Sequence, residues 1–203
     1  MTPYDIIKKD IILGNLKPNT IFNEKEYADK LNTSRTPIRE AVLKLASEGY
    51  INIIPRKGTL ISSISYQDIK ELYEYRLLIE PNIYSLYKQE PPIEWINKWE
   101  EHFSKDIDSS NLNLDADDDE LFHVELASFT NNEYLINQEK LLLEKSLRIR
   151  LLSNIKSKKR YIEAKDEHLQ ILEALKNNDY KKASLVSKKH LQNTLKGFAF
   201  LGE

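Results

Sequence analysis

The sequence predicts a mainly α-helical protein of two domains, a small N-terminal domain at residues 1–66 that ends in a β-hairpin and an all-helical domain at residues 67–203. Apolar residues recur at helical spacing along most of the chain. Only residues 50–54 and 59–61 have the apolar, β-branched composition of strands, and they flank a single turn. The small domain has 10 Lys and Arg against 7 Asp and Glu, whereas the remainder has 20 against 25. The two parts therefore differ in both structure and charge.

The composition excludes several classes of protein. The 203 residues include no cysteine, which rules out disulfides, thiolate metal sites and cysteine nucleophiles. Only 5 glycines are present, and neither GxGxxG nor GxxxxGK[ST] occurs, which argues against the familiar nucleotide enzymes. A mean hydropathy of -0.56 and the lack of a long apolar run predict a soluble protein with no membrane partner. A reducing, cytoplasmic location fits these features.

The small domain begins with two short helical patterns. Residues 3–14 place isoleucines along one stripe, and the turn residues Lys17-Pro18-Asn19 end that pattern. Asn23, followed by Glu26 three residues later, resembles a capping box at the start of a second helix. A short polar connection, residues 32–35, follows it.

A third helix and a hairpin complete this domain. Thr36 is the expected N-cap, with Pro37 in the first helical position and Gly49 closing the helix. The order helix, helix, short turn, helix, hairpin is that of a winged helix-turn-helix, whose third helix enters the DNA major groove. Polar and cationic side chains suited to phosphates and base edges lie at the start of that helix and at the hairpin tip: Ser34, Arg35, Thr36, Arg39, Arg56 and Lys57. A small helical domain whose arginines are merely solvated remains the alternative at this point.

The second domain reads as a bundle of about six helices. Residues 65–68 are expected to cap its first helix, and Pro91-Pro92 separates that helix from the next. The polar run at 108–118 is predicted to be a loop. Further helices are predicted at 119–130, 133–153, 160–177 and 180–200.

Three of the four histidines could converge inside this bundle. Asp119 and His123 are four residues apart and project from one helix face, while His168 and His190 lie on later helices. Imidazoles with one carboxylate suit zinc, nickel, iron or manganese. Scattered histidines are also common as surface or capping residues, and the pattern alone leaves that alternative open. His102 has no acidic partner four residues earlier, and the acidic run 115–120 lacks the glycine and glutamate of a calcium loop.

Several motifs resemble those of GntR-family transcription regulators of the FadR type, which carry a C-terminal FCD domain. SRTPIREA at 34–41 is close to the family's recognition-helix signature, and EKEYA at 24–28 is similar to the helix before it. In the second domain, RLLIE at 76–80, DELFH at 119–123, EHLQILEAL at 167–175 and KHL at 189–191 resemble FCD motifs. Asn19 replaces a family glycine, which is tolerable because asparagine also adopts left-handed conformations.

The resemblance implies specific roles for residues of this chain. It assigns a divalent transition metal, zinc foremost with nickel, manganese or iron as alternatives, to Asp119, His123, His168 and His190. It adds Lys25 and Gly58 to the expected DNA-contacting residues. It also implies a homodimer, formed through the helical domains, on palindromic double-stranded operator DNA. The short second domain indicates the six-helix, VanR-like variety.

We therefore expect a ligand-responsive regulator rather than an enzyme. A small organic acid is expected to bind the metal, with its remaining charge met by an arginine on a helix lining the bundle: Arg76, Arg148 or Arg150. Surface ion pairs are the alternative for these three arginines. A metal-dependent hydrolase or a pure metal sensor that uses the same Asp and His residues is the alternative function.

Overall fold

The computed structural model describes residues 1–105, 114–152 and 158–199, with the side chains of 114–117 and 158 outside the description. The chain forms two compact units. The first contains Met1–Ile64 and the end of one long helix from Arg148 onward, and the second contains Ser65–Leu147 and the helices after residue 157. Among the described residues, no helix is long and apolar enough to cross a bilayer.

The first unit has the element order predicted for a winged helix-turn-helix. Its elements are α1 (Pro3–Ile12), α2 (Glu24–Lys30), α3 (Arg35–Ser47), β1 (Ile51–Ile54) and β2 (Gly58–Ile61). Isoleucines 7 and 11 of α1 are fully buried with Ile38 and Leu45 of α3. This burial fixes α3 against α1 and leaves the opposite, polar face of α3 in solvent.

The wing is an antiparallel hairpin in which Ile51 pairs with Ile61 and Ile54 with Gly58. The sequence did not reveal that Ile21 adds an isolated bridge to Leu60 on the other edge of β2. Asn19 turns the chain toward this edge with a φ of 62°, which confirms that asparagine replaces glycine there without loss of the turn.

The N-terminus of α3 differs from the prediction. Ser34, not Thr36, occupies the N-cap, and its side chain makes no capping hydrogen bond. Pro37 is consequently the third helical residue rather than the first. The helix tolerates it because none of the first N–H groups of a helix has an intrahelical acceptor. The hydroxyls of Ser34 and Thr36 remain exposed at this helix end.

Every regular element described in the second unit is a helix. The helices are α4 (Tyr66–Ile79), a 3₁₀ segment (Glu80–Leu86), α5 (Ile93–Ser104), α6 (Leu114–Ser128), α7 (Glu133–Leu152, whose end from Arg148 belongs to the first unit), α8 (Lys158–Lys176) and α9 (Tyr180–Gly197). The predicted capping of α4 is confirmed, because Ser65 and Asp68 form a reciprocal capping box. The predicted loop at 108–118 is wrong for 114–118, where α6 has already begun, and its part at 108–113 lies outside the described residues.

An aromatic core holds α5, α6 and α8 together. Trp99, Phe103 and Phe122 are buried in it, with the rings of Trp99 and Phe122 5.3 Å apart. The His168 ring lies 4.6 Å from that of Phe103 and 5.0 Å from that of Phe122. The apolar core therefore extends to the edge of the histidine cluster and fixes the side chain of His168 by packing.

Candidate metal centre and DNA-binding surface

Three histidines from three helices meet inside the second unit. His123 of α6, His168 of α8 and His190 of α9 are all buried and offer ligand atoms within 4.8 Å of one another. Their ring centroids are 4.6–5.4 Å apart. His102 is not in this cluster, because its Nε2 faces Asp118 at 3.8 Å. The sequence placed these three histidines on separate helices, and the tertiary structure brings them together.

Asp119 adds a carboxylate to the cluster. Its Oδ1 is 3.4 Å from Nε2 of His168, and its side chain is 15% exposed. Asp119 and His123 are one helical turn apart on α6, which places both side chains on the same face. The four residues predicted as metal ligands therefore lie at one place in the described structure.

The donor set fits a divalent transition metal. Burial lowers the pKa of His123 to about 3, despite the opposing effect of Glu80 and Asp119, so its imidazole is neutral near pH 7 as metal ligation requires. Among the described residues, His123 Nε2 is buried without a hydrogen-bond partner. An orphaned buried nitrogen costs free energy unless a ligand satisfies it. Three imidazoles and one carboxylate suit zinc and its first-row neighbours.

Buried acidic and basic groups surround the histidines. Glu80 Oε2 is 3.5 Å from His123 Nδ1, and Arg76 forms a buried ion pair with Glu80. Burial raises the pKa of Glu139 to about 9, with a further contribution from Glu80 beside it. At neutral pH Glu139 is therefore an uncharged carboxylic acid. Glu80 stays ionised, because the Arg76 guanidinium outweighs burial and holds the pKa of Glu80 below its ordinary value.

Two of the three arginines predicted to bind an effector have contacts that the structure describes. Arg76 is 4% exposed, and besides Glu80 it donates to Ser146 Oγ at 2.8 Å. Arg148 donates to the carbonyl of Ser62 within the first unit, and half-buried Arg150 belongs to the same unit. The effector role of the three arginines stays a prediction.

The first unit presents its predicted DNA-contacting residues on the surface. The exposed set comprises Lys25, Ser34, Arg35, Thr36, Arg39, Arg56, Lys57 and Gly58. Arg39 is 70% exposed and lies 3.6 Å from Glu24, a surface pair that a phosphate can displace at little cost. Arg56 adopts a φ of 65° at the wing tip, which is unfavourable for a side chain with a Cβ. The placement suits groove and backbone contacts.

Sequence reasoning missed three residues of the site: Glu80, Arg160 and Glu167. Glu80 lies in the R-x-x-x-E motif, but the motif alone did not indicate a partner. Glu167 precedes a predicted ligand in the chain, and Arg160 is seven residues earlier, on the same face of α8. That spacing is a signal, although only the packing of α9 on α8 shows what the two residues contact.

Comparison with known families gives two matches. The profile for "Bacterial regulatory proteins, gntR family" matches residues 3–61, and the profile for the FCD domain matches residues 71–193. The first match covers the winged helix-turn-helix. The second covers more than half of the chain and includes all four residues of the candidate metal site.

Individual proteins agree with these matches. The chain is 29% identical over 140 residues to the uncharacterised HTH-type transcriptional regulator YdhC of Bacillus subtilis, covering 66% of this chain and 62% of that protein's length. It is 27% identical to the gluconate operon transcriptional repressor of Bacillus licheniformis, covering 85% of this chain and 74% of the repressor. A crystal structure of a GntR regulator from Rhodococcus has the same fold, with a TM-score of 0.76, 18% identity and coverage of 97% and 95%.

Proposed function

The chain belongs to the GntR family of bacterial regulatory proteins and carries the FCD domain, and on that premise we propose that it is a ligand-responsive transcription regulator. A divalent transition metal held by Asp119, His123, His168 and His190 would bind a small organic acid, and the acid would change the affinity for operator DNA. The observation that carries the proposal is the buried cluster of three histidines with ligand atoms within 4.8 Å. The named relatives are transcription regulators, which favours this role over a hydrolase.

The DNA-binding part of the proposal rests on the exposed cations of the first unit. Arg35 is the first residue of α3 and Arg39 lies one turn later, so both side chains project from the helix end that leads into the major groove. Lys25 lies on the preceding helix and Arg56 on the wing, where each can contact the phosphate backbone. Family members are expected to dimerise through their helical domains. We propose the same here, on a palindromic site and in the bacterial cytoplasm.

The effector part rests on charge. Two buried glutamates that face proposed ligating histidines are each paired with an arginine: Glu80 with Arg76, and Glu167 with Arg160. Among the four proposed ligands, Asp119 is then the one carboxylate that would face the two charges of the cation. The bound metal would supply a Lewis-acidic position with a net positive charge, and an anionic oxygen is the ligand that such a position favours. Because a similar protein is named for a gluconate operon, sugar acids are the first effectors to test.

The proposal is tested by DNA binding under controlled metal content. Purified protein would select an operator from random duplexes, and anisotropy would then measure its affinity with metal removed, with zinc restored, and with zinc plus a panel of carboxylic and sugar acids. We expect one acid to shift the affinity only when zinc is present. A response to zinc without any acid would indicate a pure metal sensor, and an equal response of the metal-free protein to the acid would refute the metal-mediated mechanism.

A further inference from the structure

Two of the ligating histidines have their Nδ1 atoms directed at buried carboxylates, and each carboxylate is held by an arginine. One set is Arg160, Glu167 and His190, and the other is Arg76, Glu80 and His123. We call these the carboxylate supports. Their carboxylates and arginines are not among the four proposed ligands, and each carboxylate is more than 20 residues from its histidine in the sequence.

The first support is fully hydrogen-bonded. His190 Nδ1 lies 2.8 Å from Glu167 Oε2, and Arg160 donates to the same oxygen at 2.7 Å. Asn193 Nδ2 donates to the other oxygen, Oε1, at 2.7 Å. Arg160 also reaches the carbonyl of His190 at 3.3 Å, so it joins both partners. Three donors therefore hold this buried carboxylate in one position.

These distances favour Nδ1 as the protonated nitrogen of His190. An ionised carboxylate oxygen at 2.8 Å from an unprotonated nitrogen would place two lone pairs against each other, so this contact is favourable when Nδ1–H is the donor. The Arg160 nitrogen is 3.4 Å from the same Nδ1, which is farther away than the carboxylate oxygen. A ring protonated on Nδ1 alone has its free lone pair on Nε2, which is the form that binds a metal.

The second support repeats this arrangement with a looser contact. Glu80 Oε2 is 3.5 Å from His123 Nδ1, and Arg76 holds both Glu80 oxygens, one of them at 3.2 Å from NH2. Ser146 fixes Arg76 in turn at 2.8 Å. His123 Nε2, on the other side of the ring, is the buried nitrogen without a partner among the described residues. The nitrogen without a partner, Nε2, is therefore on the side of the ring opposite to the Glu80 carboxylate.

We propose that Glu167 and Glu80 are positioning residues that hold His190 and His123 as Nδ1-protonated rings and present Nε2 of each to the metal. Arg160 and Arg76 hold the two carboxylates in place. This inference rests on the proposed metal site. It gives Arg76 a structural role, which the sequence did not predict. Carboxylates behind ligating histidines raise their basicity and fix their orientation, and their loss typically weakens metal binding about 10–100-fold.

The test is zinc affinity of the full-length protein, measured by competition with a chromogenic chelator. Glu167→Gln removes the charge at constant shape, and Glu163→Gln is the matched control, because Glu163 lies one turn earlier on α8 and contacts Arg160 but not His190. We expect Glu167→Gln to raise the dissociation constant about 10–100-fold and Glu163→Gln to change it less than threefold. Glu80→Gln is expected to act in the same direction as Glu167→Gln.

A second readout separates positioning from general stability. Long-range ¹H–¹⁵N spectra of the histidine rings report which nitrogen is protonated. The wild type should show Nδ1-protonated His190 in both the metal-free and the zinc-loaded protein, and Glu167→Gln should lose this preference when metal-free. Should Glu167→Gln fail to fold, Arg160→Gln keeps the carboxylate but removes a donor, and a smaller loss of zinc affinity is then expected.

The outcomes distinguish this inference from the function on which it rests. A wild-type protein that takes up no zinc would refute the metal site itself, and the supports with it. Wild-type binding with unchanged affinity in Glu167→Gln would refute the positioning role alone. Weaker binding in Glu167→Gln with His190 still protonated on Nδ1 would also overturn it, because the loss would then come from another structural effect.

Discussion

His190 and Glu167 are 23 residues apart in the chain, yet Nδ1 of one lies 2.8 Å from Oε2 of the other in the interior of the second unit. The contact forms because α8 and α9 are neighbouring helices joined by the short turn at Asn177–Asp179. Asn178 has a φ of 54° there, and Asp179 accepts from Lys182 N to cap α9. The turn brings α9 back alongside α8, and the packing of the two helices places His190 against Glu167.

Removing one proposed metal ligand is expected to abolish metal binding without affecting the residues proposed to contact DNA. His168→Ala deletes a side chain that is 1% exposed and packed on Phe103 and Phe122. Metal content, measured by mass spectrometry after dialysis, should fall to background, and any response of DNA binding to the acid should be lost. The metal-free variant should still bind operator. Release of DNA by the acid at an unchanged concentration would contradict the metal-mediated mechanism.

The two exposed arginines of α3 are expected to provide sequence-specific contacts. Arg39→Ala should cost about 1–3 kcal/mol of operator binding if the side chain contacts a guanine. Lys25→Ala should instead weaken binding evenly across sequences and reduce the dependence on salt concentration, since a phosphate contact carries no sequence information. Anisotropy titrations at several salt concentrations distinguish these effects. The docking is wrong if the Arg35→Ala, Arg39→Ala double variant binds its operator as tightly as the wild type.

Arg56 at the wing tip is expected to lower the free energy of unfolding and to contribute to DNA binding. Arg56 has a φ of 65°, a conformation that costs a residue with a Cβ about 1 kcal/mol or more and costs glycine almost nothing. Arg56→Gly should therefore unfold at the same or a higher denaturant concentration than the wild type while its affinity for operator falls. Arg56→Ala is the matched control, because it removes the charge and retains the strain. Equal operator affinity in all three proteins would exclude a role for this side chain in DNA binding.

Glu139 is expected to make stability decline as the pH rises. The folded pKa is about 9 and the ordinary value is 4.5, so between these values the folded protein holds a proton that the unfolded chain releases. The contribution is fully present below about pH 4.5 and is lost progressively up to about pH 9. Glu139→Gln should remove this dependence and raise the free energy of unfolding at pH 8 by roughly 1–3 kcal/mol.

Urea unfolding of the metal-free protein at several pH values measures this effect. Glu133→Gln, on the first turn of the same helix, is the control, because its side chain is exposed. If the free energy of unfolding increased from pH 5 to pH 8 to the same extent in the wild type and in both variants, Glu139 would be ionised in the folded state.

The sequence by itself determined the local structure of this protein. Apolar spacing, the Ser65–Asp68 capping box and the turn before Gly58 depend on interactions within a few residues, and the helices, the α4 cap and the hairpin were predictable for that reason. The start of α3 was not, because several residues near Pro37 satisfy the same local rules and Ser34 became the N-cap. The motifs that resemble the family carried the four proposed ligands, since those residues are conspicuous in type and spacing.

Only the tertiary structure decided what surrounds these ligands. The contacts of Arg76 depend on where Glu80 and Ser146 lie, and Ser146 is 70 residues away in the chain. The role of Glu167 depends on the rotation of α9 against α8, which is fixed by packing over the whole length of both helices. The protonation states of the buried side chains also depend on the tertiary structure, because the pKa of a group follows from its burial and its neighbours and not from its place in the sequence.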